Sequence, residues 1–503
     1  MYERNAVVVI DLTLPQASIE ALEDEPEEYQ PGTFSLAFTD GTPAVAGEAT
    51  IPLEVGVRLK GKLGSFRTLA GKAGFKLKLN FVKGKKFLGL KKMTLNNMVQ
   101  DASMVHEVLS YELFRSIGIA APRTGYAYVR VNGEPYGVYL NVETFDDVAL
   151  ERWFGPFDDP QHLYEGEYGT DVKPGEAGAF EVDEGDEEDR SDLEALIAAV
   201  SDESGPFSAR VDGLADLEEM TRMWAVEKYV GHWDGYAGAL FQNNYYLYSD
   251  PSGEFQMLPW GTDQTWGQRL EFDGPSGILF DECLADADCW ALYREALVEV
   301  EEATAALGLD AVAGDTADLL QQWQQLAPPR EEHDLGAIAA AVDVTRDFIA
   351  DRPGDLAEWL TAHPSYGVFV TPEGPFEPPV VAAGAVAPAE PDQSSSGKLG
   401  LLGRSTVSGG VLVTRLRTPA AGGLKQTATI DTAQGTVTAC VGRASAQSAK
   451  ELTLRCYLSD ALRRRLSARW LRLEVGTSFR PLAGSAEVVI HEAVARRENP
   501  TRR

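Results

Sequence analysis

One segment of the chain, residues 231–267, contains the residue types that phosphoryl transfer requires. Asp234 lies in a predicted loop, and the pair Asn243 and Asn244 follows it. Asp263 comes just after a hairpin predicted from YYLY and FQML, which flank the turn-rich SDPSGE. A carboxylate can orient an attacking hydroxyl, while an Asn and an Asp can hold Mg²⁺ against nucleotide phosphates. The alternative is that both aspartates are ordinary loop carboxylates, because Asp is common beside glycine and in turns.

Basic residues crowd a short segment upstream. They are Lys60, Lys62, Arg67, Lys72, Lys76, Lys78, Lys83, Lys85, Lys86, Lys91 and Lys92. Several fall on predicted strands near glycines, so a site for an anion competes with the interpretation of an ordinary solvated face. The turn KGKLGSF also offers backbone N–H groups to a phosphate, although two glycines in seven residues are a weak signal alone.

The elements that must position these groups change character along the chain. Strict apolar–polar alternation in FKLKLNF predicts a strand with one buried face, and the Asn-Gly between GYAYVRV and YGVYLNVE predicts a hairpin. A helix is predicted over 103–117, with Glu112 near its apolar stripe. A core-facing carboxylate needs a cation, whereas a carboxylate at the margin of the stripe reaches water, and both interpretations stay open for Glu112. A second long helix, over 214–230, ends just before Asp234.

This order of elements predicts an α+β chain with two lobes and a cleft between them. The predicted parts are an N-terminal strand extension (1–45), a strand-rich lobe (46–145), a helical lobe carrying the hairpin (146–370), a Pro/Ala-rich linker (371–397) and an accessory β-sandwich (398–503).

Composition bounds the class of protein. With 503 residues, 44% hydrophobic and 9% aromatic, the chain has material for about three domains. The net charge of −32 argues against a nucleic-acid binder, and no apolar run approaches the roughly 20 residues of a membrane span. The local pairs Cys283/Cys289 and Cys440/Cys456 suggest two disulfides and an oxidising compartment, with free thiols as the alternative. The N-terminus lacks the pattern of a signal peptide, so either a leader is missing or the cysteines are reduced.

Several blocks of the sequence resemble the spore-coat protein H (CotH) kinase family, secreted or coat-associated proteins with an atypical kinase fold. The matching pieces include VRLKGKLGSF, FKLKLNF, LKKMTLNN, QDASMVHEVLSYELFRSIGIAAPRTGYAYVRVNGEPYGVYLNVETFD, HWDGYAGALFQNNYYLY and LPWGTDQTWG. They cover roughly residues 55–267 and leave the terminal β domain outside the resemblance.

The resemblance implies the roles of the residues in the hairpin segment. Asp234 matches the catalytic-loop aspartate, and one of Asn243 and Asn244 is expected to help hold Mg²⁺ or Mn²⁺. The family usually has PWDxD where this chain has PWGTD, so Gly261 replaces the first aspartate and leaves Asp263 as the expected metal ligand.

The resemblance also implies a nucleotide site for ATP. Lys76 matches a strand lysine expected near the phosphates, with Lys72 as a second candidate. Glu112 is assigned as the helix acid that braces this lysine. Glu143, at the predicted crossing between lobes, is expected to line the nucleotide pocket.

Two functions follow as expectations. The first is a protein kinase-like phosphotransferase that uses ATP and a divalent metal on Ser or Thr hydroxyls of secreted or surface proteins. The second, motivated by Gly261, is a catalytically silent scaffold whose C-terminal domain docks onto a surface protein or polysaccharide. A metal-dependent hydrolase is disfavoured because the six histidines are scattered. His232 is either a catalytic helper or a local hydrogen-bonding residue.

Overall fold

The structure is a computed structural model with two compact units, Met1–Pro375 and Phe376–Arg503. In the first unit it describes residues 1–39, 50–62, 64–166, 168–238, 242–274, 276–326 and 330–367. In the second it describes 399–401, 405–408, 411–419, 422–432, 435–446, 450–457, 471–481 and 487–495. The predicted linker, 371–397, lies outside these ranges.

Seven strands of the first unit form a closed barrel. They are β1 (Val7–Thr13), β2 (Gln30–Ala37), β3 (Leu53–Lys60), β4 (Gly74–Lys78), β5 (Lys92–Asn96), β6 (Thr124–Val131) and β7 (Glu134–Val142). Their order is β1-β2-β3-β4-β5-β7-β6, and parallel pairing of β1 with β6 closes the ring. Strands β1 and β2 come from the part that the sequence predicted as an N-terminal strand extension, 1–45. They belong to the barrel, since β1 is hydrogen-bonded to both β2 and β6.

The strand patterns read from the sequence are present in the barrel. Phe75 and Leu77 of β4 are fully buried, whereas Lys78, on the opposite face of the strand, is exposed to solvent. Asn132 and Gly133 both have positive φ, 53° and 83°, in the turn joining β6 to β7. Positive φ at both central residues is what a tight hairpin with Asn-Gly requires, so the predicted hairpin is confirmed.

A four-stranded sheet and most of the helices follow the barrel. The sheet has the order β11-β10-β8-β9, from β8 (His162–Gly166), β9 (Glu181–Glu184), β10 (Tyr245–Ser249) and β11 (Phe255–Pro259). The helices of this unit are α1 (Gln16–Asp24), α2 (His106–Ser116), α3 (Asp147–Phe154), α4 (Ser191–Ser201), α5 (Phe207–Arg210), α6 (Leu217–Val230), α7 (Ile278–Ala285), α8 (Ala287–Leu307), α9 (Leu309–Gln324) and α10 (Leu335–Ala362). The chain is therefore mixed α+β, and β10 and β11 form the predicted hairpin with Tyr246 opposite Leu258.

The second unit is all β in the residues that the structure describes. Its strands are β12 (Gly400–Leu401), β13 (Thr406–Ser408), β14 (Val411–Thr418), β15 (Gly422–Thr432), β16 (Gly435–Ala446), β17 (Lys450–Tyr457), β18 (Leu471–Pro481) and β19 (Glu487–Ala495). They belong to one eight-stranded hydrogen-bonded sheet, and a packed sandwich stays a prediction. Cys283 and Cys289 form a disulfide where α7 meets α8, whereas the side chains of Cys440 and Cys456 lie outside the described part.

Two long helices pack at the centre of the first unit. In α2, seven of eleven residues are buried, and in α6 every residue from Glu219 to Val230 is buried except Arg222. No helix among the described residues is long and apolar enough to span a membrane.

The buried Glu219 of α6 makes a pH-dependent contribution to stability. One carboxyl oxygen accepts the Met257 N–H at 3.0 Å, and burial raises the pKa of Glu219 well above its usual value. The folded state therefore keeps its proton at pH values where the unfolded chain has lost it, and stability falls as pH rises above about 4.5 towards the folded pKa.

We expect Glu219→Gln to make this fall shallower, because Gln still accepts the Met257 N–H and does not ionise. The difference in the free energy of unfolding between the wild type and Glu219→Gln should change by up to about 1.4 kcal/mol per pH unit in this window. Urea unfolding from pH 4.5 to 8 measures it, with the exposed Glu218→Gln as a matched control. Parallel stability curves for wild type and Glu219→Gln would contradict the assignment.

Candidate active site

The segment after β11 carries Asp263 in a short 3-10 turn, Thr262–Gln264. Gly261, just before the turn, has a left-handed backbone with φ 53°. The Trp260 N–H donates to the Asn244 carbonyl at 3.0 Å, so the segment stays attached to the start of β10. Asp263 is thus presented at the end of a sheet by a backbone that turns sharply.

Helix α2 holds this segment from the other side. The His106 ring bonds through Nδ1 to the Asp263 carbonyl at 2.9 Å. Further along the helix, Ser110 hydrogen-bonds Thr265 at 3.1 Å and accepts the Trp266 indole N–H at 2.9 Å. The position of Asp263 is therefore set by α2 as well as by the hairpin.

The acid that α2 contributes is Glu107, in its first turn. Its carboxyl group is buried and accepts a hydrogen bond from the Asn96 amide on β5. Burial, and then the nearby Asp263 and Asp101 carboxylates, raise the pKa of Glu107 to about 8, although Lys60 opposes the shift. A carboxyl group with such a raised pKa beside a second acid is typical of functional sites.

The pKa of Asp263 is also shifted by burial and by neighbouring charges. Burial raises its pKa to about 6, Asp101 adds to the shift, and the charges of Lys60 and His232 oppose it. Glu107, Asp263 and Lys60 therefore lie close enough to influence one another electrostatically, although they come from α2, the 3-10 turn and β3.

Lys60 is the last residue of β3, immediately before Gly61. A Cβ atom at Gly74, its partner on β4, would lie 2.9 Å from the Lys60 Cγ. Gly74 thus leaves room for the stem of Lys60 across the strand pair. The sequence carried one signal for Lys60, since it begins the glycine-containing turn KGKLGSF.

Lys76, the predicted phosphate lysine, lies on the outer face of the same strand pair. It pairs with Arg58 across β3 and β4. Burial, followed by the Arg58 charge, lowers the pKa of Lys76, while Glu165 and Asp183 favour its charged form. Lys76 therefore faces acids of β8 and β9, and its role at a phosphate stays a prediction.

The Asp234 loop follows α6, which ends at the left-handed Gly231. The Asn244 amide donates to both the carbonyl and a carboxylate oxygen of Asp234, at 3.0 and 3.1 Å. Asn243 also hydrogen-bonds the Asp234 carboxylate. The pKa of Asp234 is raised, and burial is the largest cause of this shift. The structure thus brings together three of the residues predicted from the hairpin segment.

His232 joins the Asp234 loop to the Asp263 segment. The ring is fully buried, with Nε2 3.2 Å from the Gly261 carbonyl and Nδ1 3.3 Å from a Glu227 carboxylate oxygen. Glu227 also accepts the N–H groups of Tyr236 and Ala237, at 3.0 and 2.6 Å. His232 is therefore a local hydrogen-bonding residue, the second of the two interpretations made from the sequence.

Gly261 is closely surrounded by Asn244. A Cβ atom at position 261 would lie 2.4 Å from the Asn244 Oδ1, which is too close for any side chain in this arrangement. The Asn244 backbone is itself left-handed, with φ 53°, a conformation that Asn tolerates well. In this chain the amide of Asn244 thus fills the space beside the position where the family usually has an aspartate.

The oxygen atoms of this group suit a divalent cation bound together with phosphate. The Asp263 carboxylate makes no hydrogen bond to another residue that the structure describes, and Asn244 donates through its nitrogen, which leaves Oδ1 to accept. No three His, Cys, Asp or Glu side chains form a metal-binding group in the described ranges. Mg²⁺ characteristically uses only one or two protein carboxylates and completes its shell with phosphate and water.

Three predicted site residues are engaged elsewhere. Lys72 is buried in an ion pair with Glu331, with Nζ 2.6 Å from the carboxylate. The prediction that Glu112 braces the strand lysine is wrong, because Arg4 holds its carboxylate at 2.9 Å. The α2 stripe did not distinguish Glu112 from Glu107 because most of the helix is buried.

Glu143 follows β7 as predicted, but its carboxylate is already satisfied. Arg123 and Arg152 each bind it at 2.6 Å, and the Arg123 backbone N–H adds a third contact at 3.1 Å. Glu143 thus fastens the last turn of α3, and its place in a nucleotide pocket stays a prediction.

Comparison with known proteins supports the same region. The family model described as CotH kinase protein matches residues 57–298. Inner spore coat protein H of Bacillus subtilis is 28% identical over 202 residues, which are 38% of this chain and 54% of that protein. An inner spore coat protein H-like protein of the same organism is 35% identical over 71 residues, 14% of this chain and 23% of that protein. The chain thus spans about half the length of the first relative and less of the second.

Among solved structures, the periplasmic chaperone SfaE is similar with 17% identity and a TM-score of 0.17, over 21% of this chain and 60% of that one. That likeness is too low to inform the fold. The resemblance read from the sequence is confirmed by the family model, which matches residues 57–298, the region that holds Lys60, Glu107, Asp234 and Asp263.

Proposed function

We propose that this chain is an ATP- and divalent-metal-dependent phosphotransferase that acts on Ser or Thr hydroxyls of secreted or surface proteins. One observation carries the proposal: Lys60, Glu107 and Asp263 converge from three elements. Asn244, which donates to the Asp234 carboxylate, also lies against Gly261, two residues before Asp263. Such a set supplies the positioning and electrostatic stabilisation on which phosphoryl transfer depends.

Asp234 is suited to orient the acceptor hydroxyl. Its carboxylate is partly buried, and the amides of Asn243 and Asn244 fix its direction. The nearby His232 ring lowers the pKa of Asp234 and so favours the ionised form needed to accept a proton from the hydroxyl. The Glu227–His232 contact keeps this loop in register with the Asp263 segment.

Asp263 would hold Mg²⁺ or Mn²⁺, with the side-chain oxygens of Asn243 or Asn244 as further ligands. The metal, when bound, supplies charge neutralisation for the phosphates. A cation at this point would also offset the charge of Asp263, which otherwise helps to raise the pKa of Glu107.

Phosphate groups would meet Lys60, the outer-face Lys76 and the glycine-containing loop after β3. Gly61 and Gly64 both have positive φ, 123° and 89°, so the backbone there takes conformations that favour glycine. Backbone N–H groups of such a loop are suited to bind anions.

The names of the relatives place them in an inner spore coat. We therefore propose a coat or surface setting for this chain, with a coat or surface protein as the phosphate acceptor. The β unit after residue 376 would then dock onto a surface protein or polysaccharide.

A second function, a catalytically weak or silent scaffold, is favoured by one observation. Gly261 removes a carboxylate that the family usually has, and the neutral Asn244 amide lies in its place. The charge available to a metal is thereby reduced by one. An active enzyme and a scaffold differ in metal-dependent stabilisation by ATP and in autophosphorylation.

We expect Asp234→Asn and Asp263→Asn each to reduce phosphate transfer by about 100-fold or more, because each removes a group that acts on the reacting atoms. Autophosphorylation with labelled ATP and Mg²⁺ or Mn²⁺ measures this, with circular dichroism to check the fold. The exposed Asp212→Asn is the control. Transfer that persists in either variant removes that residue from its role, and a wild type with no transfer and no ATP stabilisation favours the scaffold.

We expect Lys60→Met to weaken nucleotide binding by about tenfold or more, since a charge-assisted contact to phosphate is lost. Lys76→Met should weaken it as well, whereas the exposed Lys83→Met should not. Titration of a fluorescent ATP analogue with Mg²⁺ gives the three dissociation constants. Equal constants for the Lys60 and Lys83 variants would show that the lysine assignment is wrong.

The two glutamates of α2 give a further prediction. Glu107→Gln should lower phosphate transfer, because it changes the charge next to Asp263 and Lys60. Glu112→Gln should leave transfer near the wild-type rate, since its partner is the half-exposed Arg4. A larger loss of transfer in Glu112→Gln than in Glu107→Gln would restore the assignment made from the sequence.

A further inference from the structure

Residues 330–334, which lead directly into α10, contact the barrel and the loops beside it through successive side chains. Arg330 lies over the Tyr136 ring, with 4.1 Å between the guanidinium carbon and the ring centre. His333 bonds through Nε2 to the Val99 carbonyl at 3.1 Å. Between these two residues, Glu331 and Glu332 reach the loop that joins β3 to β4.

Glu331 makes a buried ion pair with Lys72. The Lys72 Nζ lies 2.6 and 2.8 Å from the two carboxylate oxygens, and both side chains are almost inaccessible to solvent. The Val138 N–H also donates to Glu331 at 3.3 Å. Gly137 leaves the space for this contact, because a Cβ atom there would lie 2.2 Å from the carboxylate oxygen.

The Arg67 guanidinium donates through Nε and Nη2 to the two carboxylate oxygens of Glu332, with Nη2 2.7 Å from Oε2. The same guanidinium donates to the carbonyls of Gly64 and Phe66, both at 2.9 Å. Glu332 thus holds Arg67, and Arg67 in turn gathers the backbone of the glycine-containing loop.

The loop that these contacts fasten begins at Lys60, the lysine that the proposed function assigns to the phosphates. It runs from Lys60 to Gly74, and Gly74 makes the space for the Lys60 stem. Asn97 ties the loop further, through its amide to the carbonyls of Ser65 and Lys72 at 3.0 and 2.8 Å. A shift of residues 61–73 would therefore move both the loop backbone and the residue that shapes the seat of Lys60.

We propose that residues 330–334 are a strap that positions the glycine-containing loop, and that Glu331 and Glu332 are positioning residues for nucleotide binding. The second part of this statement rests on the proposed function. Lys72, predicted from the sequence to touch the nucleotide, acts through Glu331 instead. The strap leads directly into α10, so it ties the start of that helix to the glycine-containing loop.

Amide hydrogen exchange of the wild-type chain and Glu332→Gln, without nucleotide, tests the strap directly. The pair is partly exposed, so its loss should leave the melting temperature nearly unchanged while exchange across residues 61–73 becomes about two- to fivefold faster. Asp310→Asn is the matched control, since it removes an ion pair to Arg346 that joins the same two helices without reaching the barrel. Unchanged exchange, or the same change in the control, would overturn the strap.

The buried pair is tested by removing both of its charges. The double variant Lys72→Met/Glu331→Met should fold, because no unpaired charge remains inside, and it should also speed exchange in residues 61–73. Slower or unchanged exchange in a folded double variant would contradict the proposal.

Nucleotide affinity separates the strap from the proposed function. In a wild type that binds ATP with Mg²⁺, both strap variants should bind it at least about twofold more weakly than Asp310→Asn does. Equal affinity despite faster exchange would show that the strap does not serve the site. A wild type that binds no nucleotide overturns the proposed function, and the exchange data still decide whether the strap orders the loop.

Discussion

The candidate site depends on one electrostatic constraint, the placement of the buried Glu107 and the half-buried Asp263 beside Lys60. Burial raises the pKa of both acids, the Asp263 charge raises that of Glu107 further, and Lys60 opposes both shifts. Neither acid could stay in this position if α2 and the Asp263 segment were free to move apart. The hydrogen bonds from His106 and Ser110 fix that distance, so the helix and the 3-10 turn act as one part.

The same logic explains the polar groups behind the site. Buried charges persist where they are paired and hydrogen-bonded. His232 lies between Glu227 and the Gly261 carbonyl, and Glu227 is further satisfied by two backbone N–H groups. This arrangement carries the Asp234 loop and the Asp263 segment on a common support. It also places the His232 ring near both aspartates, where it lowers their pKa values and favours their ionised forms.

The sequence predicted the parts of this site whose signal is local. The hairpin, its position between Asp234 and Asp263, and the Asn pair were all readable, because turn residues and strand alternation are properties of neighbouring residues. Glu107 and Lys60 were missed because their importance comes from contacts between elements far apart in the chain. Periodicity cannot separate two glutamates on a helix buried on most sides, and Lys72 looked like an anion ligand until its partner, Glu331, was located 259 residues away. Closure of the barrel was equally invisible, since it depends on the pairing of β1 with β6.

The most direct test of the account is diffraction from crystals soaked with Mn²⁺ and a non-hydrolysable ATP analogue. We expect an anomalous peak from Mn²⁺ at roughly 2 Å from a carboxylate oxygen of Asp263. The phosphates should lie between this metal and Lys60. Asp234 should face the γ-phosphate position without binding the metal. A nucleotide bound elsewhere on the chain, or a metal that leaves Asp263 untouched while ATP is present, would contradict the central claim.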